Sequence, residues 1–284
     1  MRRGRVRADA LDRFCDALWL EDGLSQNTIA AYRADLEQLQ RFLGGDLLAA
    51  DEAALFRFMA SRKGRASSAA RRLSSLKRFY QYCLRERAVD ADPTLKLDPP
   101  KRAPRFPKTL SEADVEALLA APQAGTAIGL RDRAMLEMLY ATGLRVSELV
   151  SMRWSQIDFK GARIHIVRAK HGDDGTHPLT GRELRLLRKL QQEQPLGAKY
   201  IFMSERGAPI APSAAQKVVK MAGKRAGIPF SVHIHMLRHS CGYSLINRGV
   251  DLRTVQSYLG HASISSTAVY THLNATRFDG LWQD

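Results

Sequence analysis

Five prolines fall within one short stretch of the chain: Pro93, Pro99, Pro100, Pro104 and Pro107. No helix or central strand runs through such a stretch, because each proline lacks a backbone N–H and fixes φ. Residues 89–108 therefore read as a stiff, basic connector. The chain must fold as two pieces, 1–88 and 109–284, and its 284 residues suit two domains.

The first piece carries a helical period throughout. Leu11, Phe14, Cys15 and Leu18 recur at i, i+3, i+4, i+7. Ser25 is placed to cap a second helix whose apolar face is Ile29, Tyr32, Leu36 and Leu39. Residues 52–62 give a shorter third helix. Ser67 or Ser68 starts a fourth, with Leu73, Leu76, Tyr80, Cys83 and Leu84 facing inward. Its outward face carries Arg71, Arg72, Lys77, Arg78 and Arg85, a row that can follow a phosphate backbone or simply meet water.

The second piece mixes periods. Ser111 and Asp114 form a capping-box start ahead of Val115, Leu118 and Leu119. Residues 130–141 are helical, and Gly143 ends that helix before a new turn opens at Arg145. Ile164, Ile166 and Val167 read as a strand, His171 to Thr176 as a turn cluster, and 176–179 as a returning strand. From 182 onward the pattern is helical, with breaks at Pro195, at 207–212 and at 227–229. The second piece is thus mostly α with a small antiparallel sheet.

Charge narrows the functional classes. Forty-four Lys and Arg against 29 Asp and Glu leave a formal net charge of +15. The excess is spread: net +6 over 1–88, +2 over 89–108 and +7 over 109–284. A basic surface on both pieces suits a clamp on a duplex polyanion. No stretch approaches 18 consecutive apolar residues, so no membrane span is expected. The basic start is followed by Asp9, Asp12 and Asp16, which does not fit a secretory leader. Three widely spaced cysteines, Cys15, Cys83 and Cys241, suit a reducing cytoplasmic compartment.

Several residues could carry chemistry. Arg145 and Glu148 lie three apart, so a guanidinium fork able to grip two phosphate oxygens sits beside a carboxylate that can orient it. His235 and Arg238 repeat that spacing with a titratable imidazole. Two arginines on one phosphate would neutralise the charge of a pentacovalent transition state. His233, His235, His239 and Cys241 also raise a zinc reading. Arg238 in their midst and the missing second cysteine pair oppose it. Leu259-Gly260-His261 ends a helix, and Tyr270 follows nine residues after His261. Lys170 stands at the mouth of the proposed hairpin.

Taken singly, each of these reads as an ordinary structural residue. Their order and local context do not: Ala-Thr-Gly-Leu-Arg-Val-Ser-Glu-Leu (141–149), Lys170, His-Met-Leu-Arg-His-Ser (235–240), Leu-Gly-His (259–261) and Val-Tyr-Thr-His (269–272). This set resembles the tyrosine recombinase (integrase) family over nearly the whole chain. Residues 11–152 look most like Xer recombinases, and 163–284 look more like fimbrial-switch inversion recombinases, as in Thr-His-Pro-Leu (176–179) and Arg-Phe-Asp-Gly-Leu-Trp (277–282). At 169–174, Ala-Lys-His-Gly-Asp-Asp replaces the basic Xer hairpin but keeps Lys170.

The resemblance implies a mainly α protein: an N-terminal helical core-binding (SAM-like) domain at 1–88, a linker, and an α+β catalytic domain at 109–284. It implies a site-specific recombinase that cuts and rejoins DNA through a 3′-phosphotyrosyl intermediate. Tyr270 would be the nucleophile, with Arg145, Lys170, His235, Arg238 and His261 catalytic and Glu148 supporting. The DNA-contacting candidates on the helical piece are Arg71, Arg72, Lys77 and Arg78. No cofactor or metal is expected. The implied partner is double-stranded DNA with an inverted-repeat site, bound by a homotetramer or by a heterotetramer with a paralogous recombinase. The Xer-like role is dimer resolution or mobile-element integration. Alternatives are fimbrial-type inversion, a type IB topoisomerase-like activity, or a non-catalytic DNA-binding module.

Overall fold

The computed structural model describes residues 3–62, 64, 66–99, 109–167, 174–261 and 267. Two compact units result, 1–105 and 106–284.

The N-terminal unit is a four-helix assembly: α1 (Arg3–Leu20), α2 (Gln26–Phe42), α3 (Glu52–Ser61) and α4 (Ala66–Arg85). Ser25 caps α2 by accepting from the Thr28 N–H, and Asp51 caps α3 through the Ala54 N–H at 2.7 Å. The apolar faces meet in one core of Leu11, Phe14, Leu36, Leu39, Phe58, Leu76 and Phe79. Phe14 and Phe79 pack edge to face with centroids 5.3 Å apart. The buried Tyr80 hydroxyl donates to the Leu47 carbonyl at 2.7 Å, tying α4 to the α2–α3 connection. Val89 and Leu97 also pack on this core, so the first part of the proline-rich segment adheres to the helical unit.

Two details of α4 depart from the sequence reading. The helix already includes Ala66, so Ser67 and Ser68 lie inside its first turn instead of capping it. Leu84 is 42% exposed, because α4 is ending there and its last turn passes the edge of the core.

The C-terminal unit begins with α5 (Glu112–Ala120), α6 (Ala127–Thr142) and the short α7 (Val146–Val150). The Ser111–Asp114 capping box is complete: each side chain receives the other residue's backbone N–H. A three-stranded antiparallel sheet follows, with β1 (Ile157–Asp158), β2 (Arg163–Ile166) and β3 (Gly175–Pro178) in the order β1-β2-β3. Ile164 faces Ile157 on one side and His177 on the other. The two-residue β1 is too short to show a period in sequence. Val167 lies beyond the end of β2 and is 56% exposed, so it does not continue the buried alternation of Ile164 and Ile166.

Among the described residues four more helices follow: α8 (Gly181–Glu193), α9 (Pro212–Arg225), α10 (Ile234–Asn247) and α11 (Leu252–Leu259). Leu118, Met135, Leu139, Ile164, Leu187, Phe202, Val219 and Leu237 join in a single core. A smaller cluster of Cys241, Ile246, Val255 and Leu259 packs α11 against α10. The three cysteines of the chain are free and buried. Among the described residues no helix is long and apolar enough to cross a membrane.

Candidate functional site

Two helix ends build the site. α6 stops at Gly143 and α11 at Gly260, each in the left-handed region with φ of 61° and 65°. Glycine takes that conformation without a Cβ penalty and turns the chain sharply away. Arg145 therefore leaves α6 to become the N-cap of α7, and His261 leaves α11 directly after Gly260.

The C-terminal end of a helix presents carbonyls with no partner in the helix and carries partial negative charge. A guanidinium offers five donors and no acceptor, so it fits such an end. Arg238, buried on α10, donates Nη1 to the Gly143 carbonyl and Nη2 to the Leu259 carbonyl, the latter at 2.5 Å. Arg145 donates Nη2 to the Gly260 carbonyl at 2.6 Å. Leu259 and Gly260 are consecutive, so one turn of backbone gathers both guanidiniums. The carbonyls satisfy donors of Arg238 without cancelling its positive charge.

Arg145 is held from its other side. Glu148 accepts Nη1 of Arg145 at 2.8 Å through one carboxylate oxygen and the Arg145 backbone N–H at 2.8 Å through the other. The i, i+3 relation read from the sequence is therefore an N-cap arrangement, with Glu148 fixing both the main chain and the side chain. Arg145 keeps about a third of its side chain exposed while Glu148 is nearly buried.

His235 lies one turn before Arg238 on α10. Partial burial, then repulsion from Arg238, Arg145 and His233, hold its imidazole below the ordinary histidine value. The neutral ring is thus favoured at neutral pH, within the electrostatic field of both guanidiniums, and able to accept a proton. His239 is held low as well, by burial first and then by His235 and Arg238. The His261 backbone is locked by its N–H donating to the Gln256 carbonyl and by Gln256 Nε2 donating to the His261 carbonyl at 3.1 Å. Its ring Nδ1 lies 2.9 Å from the Thr267 hydroxyl.

The structure thus brings Arg145, Glu148, His235 and Arg238 together, with His261 next in the chain to the carbonyl that holds Arg145. Lys170 and Tyr270 lie outside the described residues. Sequence reasoning missed His239 as a charge-coupled neighbour, although its i+4 spacing from His235 was visible. It also missed the Leu259 and Gly260 carbonyls, for which side-chain identity gives no signal.

No group of three His, Cys, Asp or Glu among the described residues could hold a metal ion. Burial pushes the Cys241 thiol up to about 12, which makes it a poor zinc ligand. Tyr243 and Tyr258 are both raised by burial, and the Tyr258 hydroxyl donates to the Ala141 carbonyl at 2.7 Å.

On the helical unit the arginine face of α4 is partly engaged internally. Arg71 grips the buried Asp35 with both ends of its fork, at 2.5 and 3.0 Å, and also donates to the Ala31 carbonyl. Burial raises the Asp35 carboxyl despite that guanidinium. Arg72 lies over the Phe58 ring at 5.9 Å, and Arg78 pairs with Asp22 at 3.1 Å. Lys77 is half-buried on the same helix.

Comparison with known proteins gives concordant results for both units. Residues 108–277 match the Phage integrase family, and residues 11–87 match the Phage integrase N-terminal SAM-like domain. The chain is 43% identical over 280 residues to tyrosine recombinase XerD of Ralstonia nicotianae, covering 95% of this chain and 91% of that protein. It is 41% identical over 283 residues to XerD of Pseudomonas aeruginosa, covering 95% of each. Among solved structures, the XerA recombinase aligns over 95% of this chain and 96% of that one, with 26% identity and a TM-score of 0.55. A XerH post-cleavage complex on a palindromic difH substrate aligns over 95% of this chain and 82% of that one, with 20% identity and a TM-score of 0.77, a likeness of fold.

Proposed function

Because the chain belongs to the phage integrase family of tyrosine recombinases, we propose that it is a Xer-like site-specific recombinase whose site acts on one backbone phosphate at a time. The observation that carries this reading is the convergence of Arg145 and Arg238 on the consecutive carbonyls of Leu259 and Gly260, with His235 beside them.

In the proposed mechanism the Tyr270 oxygen attacks phosphorus and the bond to the 5′-oxygen breaks. A 3′-phosphotyrosyl bond forms and a 5′-hydroxyl leaves. The phosphodiester energy is kept in the covalent bond, so rejoining needs no nucleotide cofactor. Arg145 and Arg238 stabilise the charge on the non-bridging oxygens. His235, held neutral, accepts the tyrosine proton. Lys170 gives a proton to the leaving 5′-oxygen, and His261 donates to the phosphate. Glu148 keeps Arg145 aimed.

The DNA partner is proposed to be a duplex carrying an inverted-repeat site, gripped by the helical part at 1–88 and the catalytic part at 109–284 across the connector at 89–108. Arg72, Lys77 and Arg78 are the stronger backbone-contact candidates on α4, since Arg71 is held by the buried Asp35 whereas the Arg78–Asp22 pair is exposed. The proposed active unit is a tetramer of this chain or one shared with a paralogous recombinase, in a cytoplasmic setting. Similarity to XerD along 95% of the chain favours dimer resolution over fimbrial-type inversion.

The test is covalent capture on nicked duplexes carrying Xer-like or inverted-repeat sites, run in EDTA and resolved on a denaturing gel. The wild-type chain should form an adduct and Tyr270→Phe should bind the same DNA without one. An adduct that persists in Tyr270→Phe, or one that requires a divalent metal, overturns the mechanism.

A further inference from the structure

A charged side chain and a neutral one both bridge the last turns of α6 and α11. The charged bridge is Arg238, whose fork spans from the Gly143 carbonyl to the Leu259 carbonyl. The neutral bridge is Tyr258, one residue before Leu259, whose hydroxyl donates to the Ala141 carbonyl at 2.7 Å. Ala141 lies two residues before Gly143, so the neutral bridge lands within a turn of the charged one at both helix ends. The tyrosine ring is walled in: His177 of β3, 2% exposed, meets it edge to face with centroids 4.1 Å apart.

The two bridges make unequal demands. A carbonyl in the last turn of a helix has no partner within the helix, so Ala141 takes a donor from outside. The Cys241 thiol stands 3.9 Å from that carbonyl and is a weak donor, which leaves Tyr258 as the strong one. A guanidinium is a rigid planar fork, so the Gly143 and Leu259 carbonyls must stand at one separation for both of its bonds to form. Without Tyr258 the guanidiniums themselves would have to draw the helix ends together, and each would shift as those ends moved. A neutral bridge from a rigid, packed ring fixes the separation independently. Burial keeps the phenol protonated and hence a donor.

We propose that Tyr258 is a positioning residue that spaces the ends of α6 and α11, so that the Arg238 guanidinium is held ready for the scissile phosphate. The proposal rests on the reading of Arg145 and Arg238 as the phosphate clamp. Its consequence is selective. Loss of the Tyr258 hydroxyl should weaken stabilisation of charge on the non-bridging oxygens and leave DNA binding as it was.

A methylphosphonate at the scissile position isolates that effect, because a methyl group replaces one charged non-bridging oxygen and less charge needs a guanidinium. Single-turnover cleavage of nicked duplexes is compared on the phosphodiester and on the better-cleaved methylphosphonate stereoisomer, for the wild-type chain, Tyr258→Phe and Arg238→Ala. Tyr258→Phe keeps the ring and loses one hydrogen bond. It should cleave the phosphodiester about tenfold more slowly. On the methylphosphonate it should stay within about twofold of the wild type, with affinity for the uncleaved duplex likewise within about twofold. Arg238→Ala should lose at least about a hundredfold on the phosphodiester and recover most of it on the methylphosphonate. If Arg238→Ala recovers in this way but Tyr258→Phe loses equally on both substrates, or on neither, the clamp stands and the positioning role of Tyr258 is overturned. An Arg238→Ala defect that the methylphosphonate does not relieve removes the clamp reading and the proposal with it.

Discussion

Replacing Gly143 by alanine tests the geometry of the site at its tightest point. Gly143 has φ of 61°, so an L side chain there costs about 1 kcal/mol in backbone strain alone. A Cβ on Gly143 would also stand 2.4 Å from Leu259 Cδ2 and 3.4 Å from Cys241 Sγ. Overpacking of that order costs about 1–3 kcal/mol. The total is about 2–4 kcal/mol, which for a unit of this size lowers Tm by about 4–16 °C. Gly227 supplies the control: its φ is 73°, yet nothing lies within 4 Å of its added Cβ. Gly227→Ala should show only the backbone part, about 1 kcal/mol. The two variants are compared by thermal unfolding and by single-turnover cleavage at 25 °C, well below either transition. Gly143→Ala should also cleave at least about tenfold more slowly, because the residue it pushes, Leu259, supplies a carbonyl that holds Arg238. If Gly143→Ala matches Gly227→Ala in both stability and rate, the close approach of α6 and α11 does not set the site.

Two further outcomes follow from the same geometry. Arg145→Ala and Arg238→Ala should each reduce the cleavage rate by at least about a hundredfold. Arg238→Ala should be the less stable of the two, since it leaves the buried Gly143 and Leu259 carbonyls without their guanidinium. Chemical denaturation beside a cleavage time course reads both. His235 and His239 sit below their usual 6.5, so the unfolded chain takes up these protons more readily than the folded one. Their contribution to stability is whole above about pH 6.5 and is lost as pH falls through the lower folded values. His239→Gln should therefore flatten the decline of Tm between about pH 6.5 and pH 5 in a melting series.

The architecture was legible wherever a local signal sufficed. Ser25, the Ser111–Asp114 box and the terminating glycines Gly143 and Gly260 do in the structure what their spacing announces. Long amphipathic helices announced themselves by period, whereas the two-residue β1 carried no period to detect. Leu84 misled because apolar identity stands for burial only inside an element, and at its end a side chain can pass the edge of the core; Val167, read as strand, lies one residue beyond the end of β2. The arginine row of α4 was visible as a row, but sequence gave no sign that Arg71 would turn to Asp35, 36 positions away. The site residues described by the structure were legible as motifs. The means of holding them were not, since Arg145 and Arg238 are gathered by main-chain carbonyls, and any residue supplies one of those.

The three buried cysteines have a practical corollary. Cys83 and Cys241 are pushed up to about 12 and Cys15 is raised as well, chiefly by burial. The nucleophilic thiolate form is therefore scarce at neutral pH, and solvent access is poor at all three. A cysteine introduced on the open face of a helix would react with a maleimide far ahead of the native ones. The chain can thus carry a single fluorophore without removal of its own thiols, and strand exchange can be followed on DNA by the light of a label placed at will.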